Sequence, residues 1–362
     1  MSGFQSIRHF EGSRSARGQQ QRVEDTRDAA GEFRKFMLGQ PKVRYYESFD
    51  LVKVPYPTRY GLRNAFKRES TVPFLHLLNR VFVVQFETDD GVKTLLVSPS
   101  DYDRNGETPF FRRLQDKNPR LVTEMVRKRL GDVAEVVRSI GLQPEDIDYI
   151  TYDHLHTQDL RRWLGSDEEE ALFPNAKVIV HRQEWDSAND LNPYQADWYC
   201  PHGTRVPSDR VITFDGDIML GGGVALVHTP GHTEGNHSIV VHTEEGLWVT
   251  SENGVSVDAY APQYSSLAGV ADYARTIGTE VIINGNTLEN SIDQYISMVQ
   301  EKTIAGPSMR DERFPNIFPS SETTPFWMFP GTKSSFYVGH ARHGEPVSPS
   351  REEKPGPVAV AG

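Results

Sequence analysis

Strand-forming runs in this chain come in hairpin groups, and the helical stretches fall between the groups rather than after every strand. Residues 80–88 and 93–98 are rich in apolar and β-branched side chains and flank Asp89-Asp90-Gly91, a tight hairpin signal. Residues 118–141 set Leu121, Val122, Met125, Val126, Leu130, Val133, Val136 and Val137 at helical spacing, and Pro144 ends that run. Further strands are predicted at 147–151, 176–180, 210–214, 224–228, 238–241, 246–250 and 280–283, with helices at 182–190, 270–277 and 291–304. That order predicts two mixed β-sheets packed together with helices on the outside, an α/β fold class, over a regular βαβ array.

The 362 residues carry a formal charge of −11, which disfavours a nucleic-acid backbone as main partner. No apolar run approaches the roughly 20 residues that span a bilayer, and one cysteine, Cys200, excludes an internal disulfide framework. The expectation is a cytoplasmic protein with a small-molecule substrate, no nucleic acid and no membrane. Residues 1–40, with Gln19-Gln20-Gln21 among scattered charges, read as a mobile N-terminal extension. Residues 41–338 read as the folded domain, and 339–362, with four prolines, as a disordered tail.

No phosphate-cradling loop, dinucleotide glycine fingerprint or strained serine elbow is present. Histidines carry the chemistry instead. A strand ending in His154-Leu155-His156 points two imidazoles to one side, because residues i and i+2 share a face. Alone, such a pair is either a metal half-site or two surface or packed histidines. A second apolar strand stops at Thr229-Pro230-Gly231, and His232 sits on the turn beyond it. Three neutral imidazoles leave a zinc ion an open position, where bound water is acidified to a pKa of about 7.

His154-x-His156 followed by Thr229-Pro230-Gly231-His232-Thr233-x-Gly235-x-x-Ser238 resembles the metallo-β-lactamase superfamily, particularly its lactonase-like and glyoxalase-II-like hydrolases. Residues 173–185, a strand-then-helix step, add to the resemblance, which spans roughly residues 80–305. It implies an αββα sandwich with the metal at one edge of the two sheets. On that resemblance His154, His156 and His232 correspond to the three histidines of the first metal site. The family's first motif continues with aspartate then histidine, where this chain has Gln158 and Asp159. Its bridging aspartate follows a strand, where residues 247–251 lead here into Glu252; its final histidine is replaced by Asn286.

The second site therefore keeps only Asp159 and Glu252 as strong donors, and about one tightly held ion per chain is expected. Asp159 is either a ligand or the cap of a helix starting near Leu160. Glu252 is a ligand, the base that takes a proton from water, or a carboxylate bound to loop backbone. Zinc suits three imidazoles, while added carboxylates also suit iron or manganese. The reading is a metal-dependent hydrolase attacking an ester, lactone or related carbonyl. Its alternatives are a non-haem iron oxidoreductase on the same ligands and a non-catalytic metal-binding scaffold.

Residues 54–61 and Tyr194, Trp198 and Tyr199 form aromatic loops that either wall a pocket or pack on the sandwich. Arg161-Arg162 is either an anion-steering pair or a solvated helix face. His181, His202, His228, His237 and His242 read as structural or exposed.

Overall fold

In the computed structural model, which describes residues 4–117, 127–285, 287 and 291–352, the Asp89-Asp90 turn joins β3 (Phe74–Thr88) to β4 (Gly91–Val97) as an antiparallel hairpin. The larger sheet runs in the order β14 (Arg342–Gly344), β2 (Tyr45–Pro57), β3, β4, β6 (Tyr149–Thr151), β7 (Lys177–His181) and β8 (Val211–Phe214). It is mixed: β4, β6, β7 and β8 are parallel, while β2, β3 and β4 are antiparallel. Two short strands attach to it, β13 (Ser321–Thr324) on β3 and β5 (Lys128–Arg129) on β2. The smaller sheet is antiparallel throughout, in the order β1 (Gln5–Ile7), β9 (Asp217–Gly221), β10 (Val224–His228), β11 (His237–Thr243) and β12 (Gly246–Thr250).

The period of two in these strands sorts the core into layers. Leu226, Ile239, Val241 and Trp248 face inward and meet Phe82, Val84, Leu95 and Val97 of the other sheet. Their neighbours Ala225, Val227, Val240 and Val249 face outward, under Phe33 and Met37 of the helix Gln19–Leu38 and Ile296 and Val299 of the helix Ser291–Ala305. On the opposite outer face Val83, Leu96, Ile150 and Val178 pack under Val133, Val137 and Trp163. Helix, sheet, sheet, helix is the expected αββα sandwich.

The ends depart from expectation. Residues 1–40 do not form a loose arm: β1 pairs with β9, and Ala30, Phe33 and Met37 are fully buried. Those three, with Val23, make a narrow stripe on one face of a helix otherwise crowded with charge, so composition hides its packing. Arg34 ties the helix down by donating to the Ile304 carbonyl at 2.7 Å. At the other end β14 pairs with β2, and Gln85 Oε1 and Asp146 Oδ1 accept from the backbone of Val347 and Ser350. The expected 41–338 limits thus cut through packed structure at both ends, while residues 353–362 of the expected tail lie outside the described residues.

Of the helix expected over 118–141, residues 127–132 are not helical and a helix starts at Val133, where Asp132 Oδ1 accepts from the Ala134 and Glu135 amides; 118–126 lie outside the described residues. Just before it, Gly131 turns the chain and its amide donates to Leu51 O. Residues 280–283 form no strand: Val281 and Ile282 are buried, and the Ile282 amide donates to Ala259 O rather than into a ladder. Among the described residues no helix is long and apolar enough to cross a membrane.

Candidate metal centre

Chain segments leaving the ends of β6, β10 and β12 meet at one edge of the sandwich. Thr151 closes β6 by donating to the Ile179 carbonyl at 2.8 Å, and the Tyr152 hydroxyl donates to Pro99 O at 2.8 Å. Beyond these anchors the chain delivers buried Asp153, His154 and His156. On the turn after β10 the Gly231 amide donates to Thr233 O at 2.8 Å. A Cβ on Gly231 would stand 2.3 Å from Gln294 Cα, so only glycine lets the helix Ser291–Ala305 approach this turn. Asn253, just after β12, locks the turn: its Oδ1 accepts from the His232 amide and its Nδ2 donates to Thr229 O, both at 2.9 Å.

These supports bring His154, His156 and His232 together, with one ring nitrogen of each within 4.8 Å of the others. The rings stand edge to face, with centroids 4.6–5.0 Å apart and planes crossing at 86–87°. His156 Nδ1 and His232 Nε2 are 3.2 Å apart. Two nitrogens bound about 2.0–2.1 Å from one tetrahedral zinc would be about 3.3 Å apart. His232 Nδ1 is buried with no hydrogen-bond partner. The nitrogen spacing, the crossed rings and the imidazole donor set fit a transition metal.

A second group overlaps the first: Asp153, His154 and Glu252 offer donor atoms within 4.8 Å of one another. Asp153 Oδ1 lies 3.4 Å from His154 Nδ1, and Asp153 Oδ2 accepts from Ser320 Oγ at 3.2 Å. A carboxylate behind a ligand imidazole fixes its tautomer and orientation. Burial disfavours charge on His154, but the Asp153 carboxylate outweighs that and lifts the imidazole to about 9. His156 and His232 move well below the usual histidine range, through burial and then the charge on His154. Burial pushes Glu252 up to about 7, against the pull of His154.

Asp159 does not join the cluster. Its carboxylate accepts from the Arg161 amide at 3.0 Å and from the Arg161 guanidinium, and Arg104 Nη1 lies 3.6 Å away. The expectation of Asp159 as a ligand or catalytic group is corrected; its carboxylate is instead engaged by Arg161, whose amide and guanidinium both donate to it. Gln158 accepts from Ser100 Oγ at 3.1 Å, and Asn286 lies outside the described residues. Arg161 and Arg162 are consumed by carboxylates, the latter by Asp101 and Asp132 at 3.1 Å each.

The cleft over the histidines is walled by Tyr56, Tyr60, Leu77, Phe110, Phe111 and Trp198: the first aromatic loop lines it, while of the second only Trp198 does, Tyr199 packing in the core and Tyr194 being exposed. Glu252 and Ser321 also line it. Three supporting residues escaped sequence reasoning: Asp153, Glu184 and Asn253. Glu184 is fully buried and accepts from the Leu155 amide at 2.7 Å, Thr233 Oγ1 at 2.6 Å and the Tyr199 hydroxyl at 3.2 Å. Asp153 had a signal in its place directly before His154; Glu184 and Asn253 act across loops and left none.

No family model matches the chain. It is 31% identical over 113 residues to an N-acyl homoserine lactonase of a Bacillus species, covering 31% of this chain and 40% of that relative. The N-acyl homoserine lactonase AttM of Azorhizobium caulinodans is 29% identical over 168 residues, 42% of this chain and 59% of that protein. The chain thus spans 40% of the length of the first of these curated relatives. A crystallised hydrolase of the beta-lactamase superfamily superposes with a TM-score of 0.45 at 17% identity, covering 84% of this chain and 98% of that one.

Proposed function

We propose that this chain, which has the metallo-β-lactamase fold and is related to lactonases over 31% of its length, is a metal-dependent hydrolase of lactone or ester carbonyls. The observation that carries the reading is the convergence of three buried imidazoles at the floor of an aromatic cleft. His154, His156 and His232 would hold one divalent ion, zinc being the best match to three nitrogens. When bound, such an ion supplies Lewis acidity and a water that ionises near neutral pH.

The chain's own residues supply the rest. Glu252, a cleft-lining carboxyl whose pKa is raised by burial, is placed to take up or release a proton. Tyr56, Leu77, Phe110 and Trp198 exclude water and receive the apolar part of a substrate. His156 Nε2 lies 3.4 Å from Gln195 Oε1, which holds that ring in place.

The test is elemental analysis of protein purified without added metal, combined with titration of acid released from N-acyl homoserine lactones and simple aryl esters. About one zinc per chain with hydrolysis is expected. Iron with a visible absorbance, or no metal and no turnover, would overturn the reading. Glu252→Gln should lower turnover far more than metal content if the carboxyl moves a proton, and lower both if it is a ligand.

A further inference from the structure

Five arginines on segments next to those that line the cleft are paired with carboxylates. Arg104 reaches Glu169 at 2.6 Å, Arg113 pairs with Asp197, Arg129 with Asp132 at 3.0 Å, Arg161 with Asp159, and Arg162 with Asp101 at 3.1 Å. Arg127 differs: among the described residues no carboxylate pairs with it. It is also the one lysine or arginine among the described residues lining the cleft that holds the three histidines.

Its orientation is fixed without an anion. The guanidinium carbon stands 4.2 Å from the centre of the Tyr102 ring, and Nη2 donates to the Tyr102 carbonyl at 3.1 Å. Among the described residues, stacking and one hydrogen bond leave most of the five guanidinium donors uncommitted, in a planar fork that matches a carboxylate. The chain carries a net charge of −11, yet among the described residues this half-buried guanidinium in the cleft has no carboxylate partner.

We infer that Arg127 makes this a site for anionic substrates, in which a carboxylate set apart from the scissile carbonyl docks on the guanidinium while the intervening chain lies on the aromatic wall. A charge-assisted, two-pronged hydrogen bond is stronger than a neutral one and specific in direction. The inference rests on the cleft being the site of carbonyl hydrolysis proposed above, and its test separates the two.

The wild type, Arg127→Gln and Arg127→Lys are compared on two nitrophenyl esters, the neutral butyrate and the mono-ester of glutarate. The wild type should favour the glutarate ester by roughly tenfold in kcat/KM. Arg127→Gln should abolish that ratio through KM rather than kcat, and Arg127→Lys should restore part of it. An unchanged ratio in Arg127→Gln would overturn the inference while leaving the hydrolase reading intact. Should neither ester turn over, the lactone assay above decides the hydrolase reading, and calorimetry with 3-phenylpropane-1-sulfonate and 3-phenylpropan-1-ol decides about Arg127. Tighter sulfonate binding lost in Arg127→Gln upholds the anion site; equal binding of the two probes by the wild type overturns it.

Discussion

Two groups of histidines lie near the same edge of the sandwich, and only one is built to bind. His154, His156 and His232 cross edge to face and aim ring nitrogens at a common point. His181 and His228 instead stack face to face, with centroids 3.9 Å apart and planes 7° from parallel, while His237 stands edge-on to Phe214. His237 is hydrogen-bonded to Thr151 Oγ1 at 3.1 Å, and His228 Nε2 to Glu234 O at 3.1 Å. Parallel rings direct their nitrogens outward in their own planes, so stacking fills space without making a ligand set. Ring orientation, rather than the density of histidines in the sequence, distinguishes a centre from packing.

The largest effect that would break this contrast is on metal retention. His232→Ala should lower metal affinity by more than about 100-fold, whereas His228→Ala should leave metal content near that of the wild type. Competition with a chelator measures both, and equal losses would erase the distinction. Next, Asp153→Asn should weaken metal binding by roughly 10- to 100-fold while keeping the fold, because it loosens the hold on His154 without removing a ligand.

Acid stability sharpens the other side. Burial lowers His181 to about 2, His228 to about 4 and His237 to about 3. Their contribution to stability is complete above the unfolded value near pH 6.5 and drains away as pH falls towards the folded values. His228→Gln should therefore lessen the drop in urea resistance between pH 7 and pH 5, by about 1–2 kcal/mol. The smallest effect has the opposite sign. Asp217, whose Oδ1 accepts from the His228 amide at 2.7 Å, is pushed by burial up to about 7. Its contribution is present below about pH 4 and lost as pH rises through 7, so Asp217→Asn should raise stability at pH 8 by about 1 kcal/mol.

Most of the architecture was legible in the sequence where one periodicity ran uninterrupted. The β3–β4 hairpin, β10, β12 and the helix Val270–Ile277 lie where apolar spacing put them. The N-terminal helix was not legible, since its few apolar contacts with Ile296 and Val299 depend on a partner some 270 residues away. In the centre, the three imidazoles were marked by strand ends and a Pro-Gly turn. Asp159 misled because a carboxylate two residues before an arginine serves that arginine first. Asp153 carried a signal in its place before His154 that went unread, whereas Glu184 was hidden because its partner Thr233 is distant in sequence.

The buried Glu184 carboxylate ties Leu155, Tyr199 and Thr233 to the helix Arg182–Asn189. Gly235 passes so close to this helix that a Cβ there would lie 2.0 Å from the Glu184 amide. The three tethered segments belong to different parts of the fold and share one buried acceptor, so each contact needs the others' segments in place. Tight metal retention therefore works as an assay of assembly. Chains that are merely collapsed hold histidines at unrelated distances and should release the ion to a chelator, so bound metal counts finished molecules rather than soluble ones.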